Sequence, residues 1–295
     1  MPSDLLTLSS ARLFRLAIGS ILLLVGTGLL IAQGLSWLSL EPRMLRALEG
    51  GALCALGTAL GAVPVLVIRR MPVAVSDGLL GFGAGIMLAA TAFSLIVPGL
   101  GAAQGLGFSP WGAGALISLG ILAGAVGLFI VDRLVSQDTV GASVTENPGI
   151  PSNIWLFVIA IIAHNIPEGM AVGVSAGGGL AHADSLAMGI ALQDVPEGLV
   201  IALVLAAAGM SRLNAFLIGA ASGLVEPVFA VLCAWLVEVA ALLLPLGLAL
   251  AAGAMLLVVT HEIIPESRRN GHDKIASFGL LVGFCLMMVM DTALA

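Results

Sequence analysis

The sequence predicts an all-α protein that crosses a membrane repeatedly, and three observations carry that prediction. Of its 295 residues, 60% are hydrophobic and 9% are charged, against about 25% charged in soluble domains, and mean hydropathy is +1.15. Uncharged runs of about 20 residues recur along nearly the whole chain, each long enough to cross a hydrocarbon core of about 30 Å as a helix. The 38 glycines suit helices that must approach closely in lipid, where no hydrophobic effect draws them together. This composition excludes a water-soluble fold, and no nucleic-acid partner is expected.

Nine apolar spans follow in order: Phe14–Leu38, Leu45–Ile68, Val75–Leu100, Trp111–Val135, Asn153–Gly177, Ser185–Gly209, Leu213–Val237, Leu242–Ile264 and Ile275–Leu294. Arg12 and Arg15 ahead of the first span resemble the start of a secretory signal, but an apolar run continuing to about Leu40 favours a retained helix. Trp37, Trp111, Trp155 and Trp235 fall at span ends, as in an interfacial aromatic belt. With the N-terminus in the cytoplasm, Arg12, Arg15, Arg69, Arg70, Arg133, Arg212, Arg268, Arg269 and Lys274 are inside, and only Arg43 and Arg46 are outside. Such asymmetry is what insertion selects, and one missed span would destroy it. The longest polar connection, Ser136 to Ser152, carries Gly141, Pro148, Gly149 and Pro151 and reads as a cytoplasmic loop. Gly-x-x-x-Gly spacings at Gly120/Gly124, Gly219/Gly223 and Gly169/Gly173/Gly177 read as helix packing. Cys54, Cys233 and Cys285 lie in apolar runs without Cys-x-x-Cys spacing, so they read as core fillers and not as a disulfide framework or thiolate site.

Against this apolar background stand ionisable groups at mid-span, each costing about 2.5–3.5 kcal/mol to insert and therefore rare and functional. The fifth span holds His164, Asn165 and Glu168; the sixth holds Gln193, Asp194 and Glu197; the seventh holds Glu226. Two segments are near-repeats, His164-Asn165-Ile166-Pro167-Glu168-Gly169 and Gln193-Asp194-Val195-Pro196-Glu197-Gly198. On helices, His164 and Glu168 share a face at i,i+4, as do Gln193 and Glu197, while Asp194 and Glu197 stand at i,i+3. Pro167, Pro196 and Pro227 lack an N–H, so they should kink their helices and free the carbonyls of Ala163, Leu192 and Gly223. Freed carbonyls are tolerated at membrane depth only beside protein or a polar cavity. The four acids carry a charge of about −4, which two divalent cations would neutralise, and paired ions about 3.5–4 Å apart with bridging carboxylates suit such ligands. Imidazole, carboxylate and amide donors fit Zn²⁺ and similar transition metals better than an all-oxygen Ca²⁺ cage.

Secondary candidates lie around this centre. His261 and Glu262, ahead of Pro265 and Glu266, could take an ion leaving it, or simply form an interfacial polar end. Met87 follows Gly81, Gly83 and Gly85 and offers a soft thioether beside a path, though most such methionines pack. Asp77 and Asp291 sit near opposite span ends as vestibule or boundary charges, and His182 and Asp184 lie in a short outer loop where cations would collect.

The paired His-Asn-x-Pro-Glu-Gly and Gln-Asp-x-Pro-Glu-Gly helices resemble the signature of the ZIP (Zrt/Irt-like) divalent metal transporters, in their bacterial branch, over Leu45 to the C-terminus. That resemblance implies an eight-helix bundle arranged 3+2+3 with inverted repeats, often dimeric, here preceded by one extra N-terminal transmembrane helix. Residues 1–41 would hold the tail and that helix, and residues 42–295 the transport domain. The resemblance also implies a binuclear site of His164, Asn165, Glu168, Gln193, Asp194, Glu197 and Glu226, moving Zn²⁺, Cd²⁺, Fe²⁺ or Mn²⁺ toward the cytoplasm across a bacterial inner membrane. Two features depart from the family: the loop Ser136–Ser152 lacks a histidine run, and Gln193 stands where many relatives place His. Because the ligands must shed protons to bind, affinity should fall with pH. The competing readings are a proton-coupled carrier of another solute and an intramembrane metalloprotease, the latter lacking any His-Glu-x-x-His here.

Overall fold

The computed structural model describes residues 41–68, 71–141 and 153–294, and the predicted span Phe14–Leu38 lies outside them. Helix follows helix: α1 (Pro42–Ala62), α2 (Val73–Ala89), α3 (Val97–Gly105), α4 (Pro110–Gly141), α5 (Asn153–Gly177), α6 (Ala183–Ala207), α7 (Arg212–Ser222), α8 (Val225–Val239), α9 (Leu243–Val258), α10 (Ile264–Arg268) and α11 (Asp273–Ala293). No strand occurs among the described residues. Among the described residues seven helical segments are long and apolar enough to cross a membrane, and α5 is a further helix of 25 residues. The chain is an all-α, multi-pass membrane protein.

Proline positions explain where the rods are interrupted. Pro64 ends α1 in a short 3-10 turn, Val63–Leu66. Between α2 and α3, Ala90–Ile96 widens into a π-helix, where Val97 N–H bonds to Ala92 O, five residues back. Val259–Ile263 does the same between α9 and α10, Ile264 N–H bonding to Val259 O. Both widened turns immediately precede a proline, Pro98 or Pro265. A proline ring clashes with the carbonyl four residues back and withholds its donor, and the wider turn makes room for it. Pro227 acts more strongly than a kink: the seventh span breaks at Gly223–Leu224 into α7 and α8. The Gly223 carbonyl, predicted to be free, accepts the Glu226 N–H at 3.1 Å. Pro167 and Pro196 lie inside the continuous helices α5 and α6. One expected boundary also moves, since α4 continues through Ser136 to Gly141, no glycine or proline intervening to stop it.

Small residues set the packing. Gly169, Gly173 and Gly177 of α5 run against the backbone of Glu226, Ala230 and Ala234 of α8, both rows stepping by four. Gly120 and Gly124 of α4 meet Ala249 and Leu250 of α9, whose Gly253 returns the contact against Ile121. Gly81 and Gly85 of α2 pack on Ala276 and Leu280 of α11, and Gly57 and Gly61 of α1 on Ala191 and Val195 of α6. The expected Gly-x-x-x-Gly packing is thus observed, and it brings α1, α5, α6 and α8 together at the depth of the polar residues.

Candidate metal centre

Helices α5, α6 and α8 deliver the polar mid-span residues to one place. Asn165, Glu168, Gln193, Asp194 and Glu226 are each at most 3% exposed. Gln193 Nε2 donates to Glu168 Oε1 at 3.3 Å, and Asn165 Nδ2 donates to Glu226 Oε1 at 3.2 Å. The helix break at Gly223–Leu224 puts Glu226 in the first turn of α8, its backbone against Gly169. Helix α1 contributes Thr58, whose hydroxyl donates to the same Glu226 oxygen at 3.3 Å.

These bonds leave a specific deficit. Glu168 Oε2, Gln193 Oε1, Asp194 Oδ2 and Glu226 Oε2 are buried without a hydrogen-bond partner. Unmet buried acceptors are costly, and carboxylates more so. Among the described residues no Lys or Arg pairs with any of these groups. Four unsatisfied oxygens from three helices, three of them on acids, are a donor set for cations.

A cavity of about 640 Å³ adjoins this cluster, lined by Met87, His164, Gln193 and Glu197 at depth and by His261, Glu262 and Glu266 further out, with Arg268 and Arg269 at its rim. His164 Nε2 stands 3.0 Å from Glu262 Oε1. Gln193 belongs to both cluster and cavity, so the two are continuous. His261 and Glu262 fall within the π turn Val259–Ile263, which Pro265 imposes. The ten residues read from the sequence as metal ligands lie in the buried cluster or along the cavity: His164, Asn165, Glu168, Gln193, Asp194, Glu197, Glu226, Met87, His261 and Glu262.

At the opposite end the packing is closed. Ile86, Leu186, Ile190 and Met287 are wholly buried, and Met287 lies where a side chain on Gly189 would otherwise reach. Further along the same helices, Ser94 Oγ donates to Asp291 Oδ1 at 2.6 Å, and His182 Nε2 donates to the Ser94 carbonyl at 3.0 Å. Asp184 instead pairs with Arg46 at 2.7 Å, and Asp77 is buried between His272 at 2.8 Å and Asn270 at 3.0 Å.

Two participants escaped the sequence reading. Thr58 carries no charge, so its i,i+4 relation to Cys54 and its place beside Gly57 and Gly61 were the only signals available. Cys54 is buried in the core as expected, and its Sγ and one carboxylate oxygen each of Asp194 and Glu226 lie within 4.8 Å of one another. Cys233 is likewise buried in the core, whereas Cys285 is exposed.

The profile of the family described as ZIP Zinc transporter matches residues 137–291. The chain is 43% identical to zinc transporter ZIPB of Bordetella bronchiseptica, over 84% of this chain and 81% of that protein. It is 37% identical to zinc transporter GufA of Myxococcus xanthus, over 84% and 98%, and 31% identical to zinc transporter ZIP11 of Homo sapiens, over 80% and 94%. Paired signature helices, the buried acids they bring together and similarity along most of its length place the chain in the ZIP family, whose members are transporters and not enzymes.

Proposed function

We propose that this chain carries divalent transition-metal ions, Zn²⁺ foremost, across the membrane toward the cytoplasm through a two-ion site at mid-membrane depth. The observation that carries the proposal is the set of unpartnered buried oxygens on Glu168, Gln193, Asp194 and Glu226. Two divalent ions would neutralise the charge of about −4 that these acids and Glu197 supply between them. One ion would sit on the cavity side among His164, Glu168, Gln193 and Glu197, with Met87 beside it. The other would sit among Asn165, Asp194 and Glu226, with Glu168 and Glu197 available to bridge. That the relatives above are named zinc transporters favours Zn²⁺, and Cd²⁺, Fe²⁺ and Mn²⁺ present related chemistry to the same donors.

The path follows from the asymmetry of the two ends. Asp291, Ser94 and His182 offer a polar stop for ions arriving from outside, above the apolar closure of Ile86, Leu186, Ile190 and Met287. Below the site the cavity leads past His261, Glu262 and Glu266 to the end bearing Arg268 and Arg269, cytoplasmic by the positive-inside rule. The 3.0 Å contact of His164 with Glu262 supports such a way out, since the ion would pass from one to the other. Passage then requires α5, α6 and α8, which bear the ligands, and α1, which packs on them, to move against α2, α4, α9 and α11, so that the closure shifts from one end to the other.

The test is metal content and uptake together. Purified wild-type protein should retain stoichiometric Zn²⁺ or Cd²⁺ by elemental analysis and accumulate it in proteoliposomes. Glu168→Ala and Asp194→Ala should reduce both by at least about tenfold, since even outer-shell changes cost 10–100-fold in affinity. Folded Glu168→Ala protein with normal metal content and uptake would overturn the assignment.

A further inference from the structure

Helix α1 carries a thiol into the acid cluster. Cys54 is wholly buried, and its Sγ stands within 4.8 Å of carboxylate oxygens of Asp194 and Glu226, which are themselves within that distance of each other. A buried cysteine alone is an ordinary small apolar filler. Here, however, Asp194 Oδ2 and Glu226 Oε2 are both buried and without a partner. Glu226 is held by its other oxygen, which accepts from Thr58 and Asn165. The thiol meanwhile makes only a weak bond, donating to the Ala187 carbonyl at 3.4 Å. Three donor groups thus converge from α1, α6 and α8, and each of the two carboxylates keeps one buried oxygen without a partner.

We propose that Cys54 is a ligand to the ion held by Asp194 and Glu226, and that its sulfur biases this site toward thiophilic divalent ions, Zn²⁺ and Cd²⁺, over harder ones such as Mn²⁺. The proposal deepens the metal-transport reading above and rests on it. Thiolate and thioether donors favour soft and borderline metals, whereas carboxylate, carbonyl and water suit Mn²⁺ and Mg²⁺. With metal–ligand lengths of about 2.0–2.3 Å, two ligands of one tetrahedral ion stand about 3.5 Å apart, so the three atoms need to close by little more than about an ångström at most on binding. Larger Cd²⁺ demands less of that closure. Binding breaks the Cys54 S–H bond and forms one S–metal bond; the proton passes to a water that the ion sheds and leaves with it. With Met87 facing the cavity, each end of the two-ion site then owns one sulfur atom.

Two full-length proteins test this. In one, Cys233→Ala and Cys285→Ser leave Cys54 as the sole thiol; the other adds Cys54→Ser. Each is titrated with Co²⁺, Cd²⁺ and Mn²⁺ while near-ultraviolet absorption and bound metal are followed. The Cys54 protein should develop sulfur-to-metal charge-transfer absorption with Co²⁺ and Cd²⁺, and the Cys54→Ser protein should not. Cd²⁺ affinity should fall at least about tenfold on Cys54→Ser, and Mn²⁺ affinity should fall by distinctly less. The absorption band needs no change at position 54, so it can be read even if Cys54→Ser fails to fold. Stoichiometric Cd²⁺ without the band, or equal Cd²⁺ affinity in the two proteins, overturns the proposal while leaving the transport site intact. Absence of bound metal in both overturns the proposal and its parent reading together.

Discussion

Glu226 shows how a single side chain is aimed. Its Oε1 receives bonds from Thr58 on α1 and Asn165 on α5, so Oε2 is left to face the cluster without a partner. Orienting partners of this kind typically tune a metal ligand by 10–100-fold in affinity. Thr58→Val keeps the shape of the side chain and removes the donor. It is expected to weaken Zn²⁺ or Cd²⁺ binding by about tenfold, read by equilibrium titration, while the protein folds and purifies normally. Unchanged affinity would mean that Asn165 alone orients Glu226. The identities of Asn165, Glu168, Gln193, Asp194 and Glu226 were legible in the sequence because ionisable and amide groups are conspicuous in apolar spans. Thr58 and Cys54 were not, since neither stands out from an apolar helix until its neighbours are known.

Whole elements owe their positions to glycine and proline. Along α5, a Cβ on Gly173 would run into the backbone of Ala230, which cannot yield without moving α8. Along α7, a Cβ on Gly219 would meet only Ala202 and Ala62 side chains at 3.4 Å, close to ordinary contact. Gly173→Ala should therefore destabilise by about 1–3 kcal/mol, the usual cost of overpacking, and Gly219→Ala should be near neutral. Thermal denaturation of the two variants in the same detergent checks this contrast, and equal loss in both would deny that backbone approach decides it. Both glycines belong to the Gly-x-x-x-Gly pattern, so sequence alone ranked them equally. The π turns at Ala90–Ile96 and Val259–Ile263 were likewise hidden. Pro98 and Pro265 announce a disturbance, but whether a helix bends, widens or breaks depends on what surrounds it, as the full break ahead of Pro227 illustrates.

Across the molecule, the cavity reaches the end bearing Arg268 and Arg269, whereas on the other side of the site Ile86, Leu186, Ile190 and Met287 are fully buried. This asymmetry predicts which surface meets water. In a protein otherwise free of cysteine, Leu79→Cys and Glu266→Cys should react readily with a membrane-impermeant thiol reagent in inside-out vesicles and not in right-side-out cells. Ile190→Cys, within the closure, should stay unreacted from both sides until the transporter turns over. Labelling of Glu266→Cys from outside intact cells would reverse the proposed orientation.

The sequence by itself determined that the chain lives in a membrane, roughly where it crosses, and which side chains are too polar to be there idly. Hydrophobic length and the cost of burying charge are local properties, so a single chain reports them directly. Only the tertiary structure decided which oxygens remain unpaired, that Cys54 joins the acids, and which end stands open. Those depend on the approach of helices distant in sequence, where one missing Cβ or one displaced carbonyl settles whether two groups meet.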